Sequence, residues 1–149
     1  MSDTTFRRAA AGDLDAQRQM ISDALTLKRM RTCTERAGLE WALFWARLVI
    51  TRGTLADHDR YEQLLYECTL EAQSRGDVEE VQDYMAEQIT GLNARAANGD
   101  AGAALRLETI VANVSSDVLD HARSLEEFQQ ALDGRGVTPC ADATGDGCG

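Results

Sequence analysis

The segment GLEWALFWARLVI, residues Gly38–Ile50, holds both tryptophans of the chain, and its apolar residues leave almost no polar face. A helix that is apolar nearly all round is one that neighbouring elements enclose. With Glu40 and Arg47 inside it, the segment is too short and too charged to cross a bilayer, which takes roughly 20 apolar residues. We therefore expect the central core helix of a soluble all-α bundle.

Length and composition agree with this expectation. A chain of 149 residues can bury a sizeable core without disulfides or a structural metal. The chain has a single proline, Pro139, and no sustained run of β-branched residues, which favours helices throughout.

Helical apolar periodicity and cap residues predict six helices with very short turns between them. Their predicted spans are about 13–31, 35–51, 54–75, 77–97, 100–114 and 116–132. Short turns favour antiparallel packing of neighbours as helical hairpins, in a bundle that is either compact or solenoid-like. Residues 1–133 are thus predicted to form one helical domain, followed at 134–149 by a flexible acidic tail rich in Gly, Asp and Cys.

Three of the predicted junctions contain the same Gly-Asp step, at Gly12-Asp13, Gly76-Asp77 and Gly99-Asp100. A glycine can take the left-handed conformation that closes one helix. The carboxylate of the aspartate that follows can then cap the next helix.

Two of these junctions belong to a longer pattern, RAAAGDLDAQ at 8–17 and RAANGDAGAA at 95–104. They resemble the junction between Sel1-like repeats, relatives of the tetratricopeptide repeats, in which an Ala-rich helix end, a glycine and an Ala-Gln or Ala-Leu pair let helical hairpins stack closely. The two copies stand 87 residues apart, without a matching copy halfway. The resemblance implies a scaffold that binds another protein.

The net charge of −10 is unevenly distributed, with +2 in residues 1–36 and −12 in residues 37–149. A surplus of negative charge disfavours nucleic acid and anionic membranes as direct partners, because both would be repelled at long range. A basic cluster nevertheless lies where the first predicted helix ends; it consists of Lys28, Arg29, Arg31 and Arg36. These cations can complement the helix dipole, contact a partner, or dock onto the acidic part of the chain itself.

A second charged group lies in the first half of the fourth predicted helix, and we name it the acidic face: Asp77, Glu79, Glu80, Asp83 and Glu87. These carboxylates alternate with the apolar residues Val78, Val81 and Met85, so we expect them to form an exposed surface beside a buried seam. The basic cluster and the acidic face are the candidate partner contacts.

Residue types that bind metals occur in the chain, but not at the spacing of a zinc site. They are Cys33, Cys68, Cys140, Cys148, His58 and His121. Cys33 and Cys68 are better explained as small core residues. We predict neither a metal site nor a cofactor.

The tail segment Asp142–Gly147, DATGDG, resembles the front half of an EF-hand calcium loop. The glutamate that the loop needs at its twelfth position would fall beyond Gly149. We therefore interpret the tail as flexible and acidic, with a Cys140–Cys148 disulfide only under oxidising conditions.

No enzymatic activity is predicted, because the chain lacks a recognisable nucleophile with its base, a pair of carboxylates in an apolar setting, and a glycine-rich phosphate loop. The leading hypothesis is a non-enzymatic helical module or adaptor that binds another protein, with homo-oligomerisation left open. One alternative is a small acidic inhibitor, of the phage or toxin–antitoxin kind, that presents carboxylates in place of nucleic-acid phosphates. Another is an enzyme or ligand binder whose pocket forms only in the folded chain.

The amino terminus, MSDTTFRRAAAGDLD, has no apolar core of the kind that a secretory signal needs, so we expect a cytoplasmic protein. Lys28 is the only lysine among fifteen basic residues, and alanine is abundant. This bias is typical of GC-rich coding sequence and suggests a bacterial or phage source.

Overall fold

The structure is a computed structural model that describes residues 3–134, with side chains described up to residue 127. This range contains seven α-helices and no strand, so the all-α prediction is confirmed. The helices are α1 (Asp3–Ala10), α2 (Leu14–Arg29), α3 (Glu35–Val49), α4 (Leu55–Arg75), α5 (Val78–Ala97), α6 (Ala101–Asn113) and α7 (Ser116–Gly134). None of the described helices has a stretch long and apolar enough to span a bilayer.

The described part of the chain divides into two compact units, one that ends at Gln88 and one that begins at Ile89. In the first unit α1 packs on α2, α2 on α3 and α3 on α4, so each of the first three helices contacts the next one along the chain. The core of this unit is formed by large apolar side chains of α2, α3 and α4. The largest fully buried ones are Met20, Ile21, Leu39, Leu43, Val49 and Leu65.

Gly38 lets α3 approach the end of α2 closely. A Cβ atom added at Gly38 would lie 2.7 Å from the Cβ atom of Lys28 and 3.3 Å from the Sγ atom of Cys33. The contact with Lys28 is closer than real Cβ atoms come to one another, so any larger residue would push the two helices apart.

α1 is the helix that the sequence analysis missed, since the first predicted helix began only at Asp13. A helix of eight residues is marginal on propensity alone, so its stability depends on tertiary contacts. Ala9 supplies the buried contact of α1, and the ring of Phe6 meets Trp45 of α3 edge to face at 6.1 Å between centroids. Because Phe6 and Trp45 are far apart in the sequence, their contact produces no local sequence pattern from which α1 could be predicted.

We expected neighbouring elements to enclose α3 on all sides. This prediction is wrong for one side of the helix. Its core face, which includes Leu39, Leu43 and Val49, is buried. Phe44 and Leu48, however, keep 47% and 40% of their surface exposed. The described neighbours of α3 cover its core face and Trp45, and an apolar side remains in contact with water.

The Gly-Asp junctions have the predicted local geometry. Gly12, Gly76 and Gly99 have φ values of +101°, +73° and +96°, in the left-handed region. Each following aspartate accepts a hydrogen bond from a backbone N–H three residues later, at 2.9 to 3.0 Å. The two longer copies also share an ion pair that the sequence analysis did not foresee, Arg8 with Asp13 at 3.0 Å and Arg95 with Asp100 at 2.8 Å.

In the second unit a smaller apolar group is buried. Its members within the described residues are Ile89, Leu92, Ala103, Val118 and Ala122. The side-chain amide of Asn93 on α5 donates a hydrogen bond to Glu126 on α7. The predictions for the tail, including the calcium-loop resemblance and the Cys140–Cys148 disulfide, lie outside the described residues.

Candidate functional site

The exposed side of α3 carries three apolar residues, Trp41, Phe44 and Leu48, which we name the aromatic face. Their spacing of three and four residues places them on one side of the helix. Trp41 is half-buried, whereas Phe44 and Leu48 are exposed. The rings of Trp41 and Phe44 stack with 5.4 Å between centroids and 9° between planes. Two residues of the aromatic face are thus held in a fixed arrangement at the surface.

Trp45 connects the aromatic face to the core. It is only 2% exposed, and it meets both Trp41 and Phe44 edge to face, at 5.5 and 5.1 Å between centroids. Edge-to-face pairs of this kind add to the stability that burial alone provides. The aromatic face is therefore built on a rigid support rather than on a mobile loop.

Other large apolar residues are exposed elsewhere in the described part of the chain. Tyr66 and Leu70 lie one turn apart on α4, with 51% and 45% of their surface exposed. Met30, Leu55, Leu105 and Val78 are exposed as well, so the predicted buried seam of α5 is wrong for Val78. Isolated apolar residues at the surface are normal in globular proteins. Among the aromatic contacts within the described residues, all join Phe6, Trp41, Phe44 and Trp45, which distinguishes the aromatic face from these other positions.

The acidic face of α5 is only partly the exposed surface that its sequence pattern predicted. Glu79 and Asp83 are exposed. The side chains of Glu80 and Glu87 retain only 18% and 25% of their surface, so for these two residues the prediction of free exposure is wrong. Asp77 caps α5 by accepting the backbone N–H of Glu80 at 3.0 Å.

Arginines of the first unit account for this burial. Glu80 accepts hydrogen bonds from Arg36 on α3 at 3.0 Å and from Arg75 at the end of α4 at 2.8 Å. The acidic face therefore contacts a member of the basic cluster within the same chain. Such pairing lowers the negative field that this part of the surface presents to a partner.

Glu87 is held more tightly, by two residues that the sequence analysis did not single out. Arg47 donates two hydrogen bonds to its carboxylate, at 2.7 and 2.9 Å, and the hydroxyl of Tyr61 donates a third at 2.5 Å. The hydrogen bond to Glu87 raises the pKa of Arg47, and burial together with the nearby carboxylate raises the pKa of Tyr61. Arg47 is therefore charged and Tyr61 protonated throughout the physiological range.

The basic cluster divides into two pairs. Lys28 lies 3.8 Å from Glu67 on α4, and Arg36 pairs with Glu40 at 3.2 Å as well as with Glu80. Lys28 and Arg36 are thus engaged within the chain. Arg29 and Arg31 are exposed, and Arg31 occupies the turn after α2 with a left-handed φ of +57°.

The two described cysteines, Cys33 and Cys68, are free thiols that differ in burial. Cys68 is buried, and burial raises the pKa of its thiol to about 12, which keeps it protonated and unreactive. Its prediction as a core residue is confirmed, whereas Cys33 is only half-buried. Within the described part of the chain, no group of three or more His, Cys, Asp or Glu side chains could hold a metal ion.

The sequence held one signal for the residues that were missed. Arg47 is a charged residue inside an otherwise apolar helix, and such a residue needs a partner or a route to solvent. The partner of Arg47 is Glu87, which lies 40 residues further along the sequence. The choice of this carboxylate depends on how α3 and α5 pack. Phe6 gave no comparable signal. Its only aromatic contact within the described residues is with Trp45, which is far from it in the sequence.

Comparison of the chain with family models, with curated proteins and with solved structures found no significant match.

Proposed function

We propose that this chain is a non-enzymatic helical module that binds another protein through the aromatic face of α3. The observation that carries the proposal is the stacked pair Trp41–Phe44, which stands at the surface beside the exposed Leu48 and on the buried Trp45. Exposed apolar groups that cluster on one side of a rigid element are typical of interaction sites.

The physical reason lies in what such a cluster offers to a partner. Tryptophan is among the residues enriched in the few contacts that dominate binding energy. Stacking of Trp41 on Phe44 fixes both side chains before the partner arrives, so less rotamer entropy is lost on binding. The aromatic face therefore offers a partner both a tryptophan and side chains that are already fixed in position.

The charged residues beside the aromatic face support a contact with protein rather than a surface that imitates nucleic acid. Glu80 and Glu87 are paired with arginines of the same unit, which removes two of the carboxylates that such a mimic would present. The exposed charges that α3 itself carries include both signs, such as Glu40 and Arg47. Mixed charge around an apolar centre suits the rim of a protein interface.

The chemistry of the buried groups fits a role without catalysis. Tyr61 and Cys68 are buried residues of the first unit whose side chains can ionise, and burial raises the pKa of both. A raised pKa keeps each in its unreactive protonated form. The resemblance of the two longer Gly-Asp junctions to Sel1-like repeats agrees with a scaffold role.

We further propose that the protein acts in the cytoplasm of a bacterium or of a phage-infected cell. Cys33 and Cys68 are free thiols, the form that the reducing cytoplasm maintains.

The proposal can be tested by affinity capture from candidate bacterial lysates, read by mass spectrometry. The test variant changes both Phe44 and Leu48 to Ser. A matched control changes Tyr66 and Leu70, the comparably exposed apolar pair on α4, to Ser, and a second control changes Glu79 to Gln and Asp83 to Asn. Each variant is first shown to melt as a folded protein.

A partner retained by both controls and lost by the Phe44/Leu48 variant is the expected result. Its affinity should change little between about 50 and 500 mM salt, because apolar contacts are not screened. A partner that is lost only by the Glu79/Asp83 variant, and whose affinity depends steeply on salt, would instead support the acidic inhibitor. Equal loss by the Tyr66/Leu70 control would remove the special role of the aromatic face.

A further inference from the structure

Apolar residues recur along the outer side of α3 in alternating steps of four and three residues. They are Ala37, Trp41, Phe44 and Leu48. Ala37, Phe44 and Leu48 are exposed, and Trp41 is half-buried. This heptad spacing is the one by which two helices pack side by side in a coiled coil. The opposite side of α3 is already buried in the core, so the spacing suits a second helix on the outside.

Two residues of opposite charge lie on one flank of this apolar row. Glu40 and Arg47 stand seven residues apart, nearly two helical turns, and each directly precedes an apolar member of the row. Their side chains keep 49% and 48% of their surface exposed. Arg47 binds Glu87 through Nε and Nη2, and Arg36 contacts Oε1 of Glu40. These contacts leave Nη1 of Arg47 and Oε2 of Glu40 available to a further charge.

The pattern is nearly symmetric about Phe44. Glu40 precedes Phe44 by four residues and Arg47 follows it by three, whereas Trp41 precedes it by three and Leu48 follows it by four. A twofold axis beside Phe44 that reverses the helix direction therefore brings Glu40 of one copy to Arg47 of the other. On the opposite flank it brings Trp41 to Leu48. The face is thus complementary to itself, as an isologous dimer interface has to be.

The charges favour this antiparallel arrangement over a parallel one. In a parallel pair of coiled-coil helices, the residue that faces Glu40 is five positions further along the second copy, which is Trp45. Trp45 carries no charge and is buried in its own chain. Both copies of Glu40 find an opposite charge only when the helices run in opposite directions.

We propose that the aromatic face of α3 pairs antiparallel with the same face of a second copy and so forms a symmetric homodimer. The inference rests on the proposed function, because it uses the same face, and it names a second copy as an occupant that competes with the partner protein. Two helices of 15 residues contact each other over at most about 22 Å. The interface is then at or below about 1,200 Å², the lower end for specific complexes, so we expect a dissociation constant in the micromolar range.

Sedimentation velocity of the full-length chain in reducing buffer tests the proposal. The native protein should shift from monomer toward dimer as its concentration rises from about 1 to 500 μM. The Phe44→Ser/Leu48→Ser variant should stay monomeric over the same range. The Tyr66→Ser/Leu70→Ser variant, which removes a comparably exposed apolar pair from α4, is the matched control and should dimerise as the native protein does.

Charge reversal tests the pairing of Glu40 with Arg47. Glu40→Arg sets two positive charges against each other at both ends of the interface, and Arg47→Glu sets two negative charges there. The second variant also carries Glu87→Arg, so that position 47 keeps an opposite charge within its own chain. Each variant alone should dimerise about tenfold more weakly than the native protein. An equimolar mixture should recover the native affinity, because opposite charges then meet at both ends.

NMR of the native protein tests the same register without any substitution. In a mixture of isotope-labelled and unlabelled copies, a filtered NOE experiment should show contacts between the ring of Trp41 in one copy and the methyl groups of Leu48 in the other. Within one chain these residues lie about 10 Å apart along α3, so an intramolecular contact cannot imitate the signal.

The proposal is overturned if the native chain is monomeric at the highest concentration, or if the Phe44/Leu48 variant dimerises like the native protein. It is also overturned if the mixture of charge variants binds no better than its components. Should the Arg47→Glu/Glu87→Arg variant fail to fold, a dimer without the Trp41–Leu48 contact contradicts the register. Any of these results leaves the proposed function standing if a captured protein still requires Phe44 and Leu48. A dimer with the expected contacts and no captured protein would uphold the inference and remove the separate partner.

Discussion

The aromatic face of α3 is more exposed than its sequence predicts, whereas two carboxylates of the acidic face of α5 are more buried than their sequence predicts. The apolar run around Phe44 predicts complete burial, yet Phe44 and Leu48 remain exposed. The carboxylates of α5 predict a solvated surface, yet Glu80 and Glu87 are largely covered and paired with arginines. Apolar character does not guarantee burial, and charge does not guarantee exposure.

The difference shows what decides exposure in this fold. A side chain is covered when a neighbouring element supplies a suitable partner, as Arg47 and Tyr61 do for Glu87. A carboxylate with three hydrogen bonds from such partners recovers what it loses in hydration. The described neighbours leave Phe44 and Leu48 without such cover, which is why we assign the partner contact to α3.

The largest expected effect separates the two sides of α3. Leu43→Ala should lower the free energy of unfolding by about 3 kcal/mol, because a fully buried side chain is removed and a cavity is left. Phe44→Ala should cost less, about 1 to 2 kcal/mol, because 47% of its surface is in water already and what is lost is its contact with Trp41 and Trp45. Chemical denaturation of both variants measures the two changes. Similar losses for the two variants would mean that the aromatic face is packed after all.

A smaller effect is expected within the acidic face. Glu87→Ala should cost about 1 to 2 kcal/mol, because the buried hydroxyl of Tyr61 and the guanidinium of Arg47 lose their acceptor. Glu79→Ala is the matched control and should stay within about 0.5 kcal/mol of the native protein, since Glu79 is exposed. Denaturation midpoints distinguish the two variants. If they unfold alike, the pairing of Glu87 adds nothing to stability.

The third expected effect is a loss of stability in acid, because the aspartates that cap helices lose their charge when they are protonated. The hydrogen bonds from Arg18 lower the pKa of Asp57 from 3.8 to about 2, and hydrogen bonds from backbone N–H groups lower the pKa of Asp13, Asp77 and Asp100. A lowered pKa in the folded state means that the stabilisation is complete above about pH 4 and is lost as the pH falls toward 2.

Asp57→Asn isolates the largest of these contributions. Its amide cannot ionise, so the variant should be less stable than the native protein at pH 6, and the difference should shrink as the pH falls to about 2. Thermal melts across this range supply the measurement. Parallel stability curves for the two proteins would contradict the assigned role of the Arg18–Asp57 pair.

Local signals predicted most of the helices, and distant contacts explain the errors. α2, α3 and α6 begin directly after the caps Asp13, Thr34 and Asp100, because a cap involves only neighbouring residues. α1 was missed because its stability depends on contacts with residues far along the chain. The pairing of Arg36 with Glu80 spans 44 residues, and sequence offers no way to choose it among the many other pairs of opposite charge.

The exposure of the two tryptophans tests the central claim most directly. Trp45→Phe leaves Trp41 as the only tryptophan, and Trp41→Phe leaves Trp45. Acrylamide quenching of fluorescence should be several times faster for Trp41, on the open side of α3, than for Trp45, which is 2% exposed. Equally slow quenching of both residues would show that α3 is enclosed on every side, and α3 would then present no aromatic face to a partner.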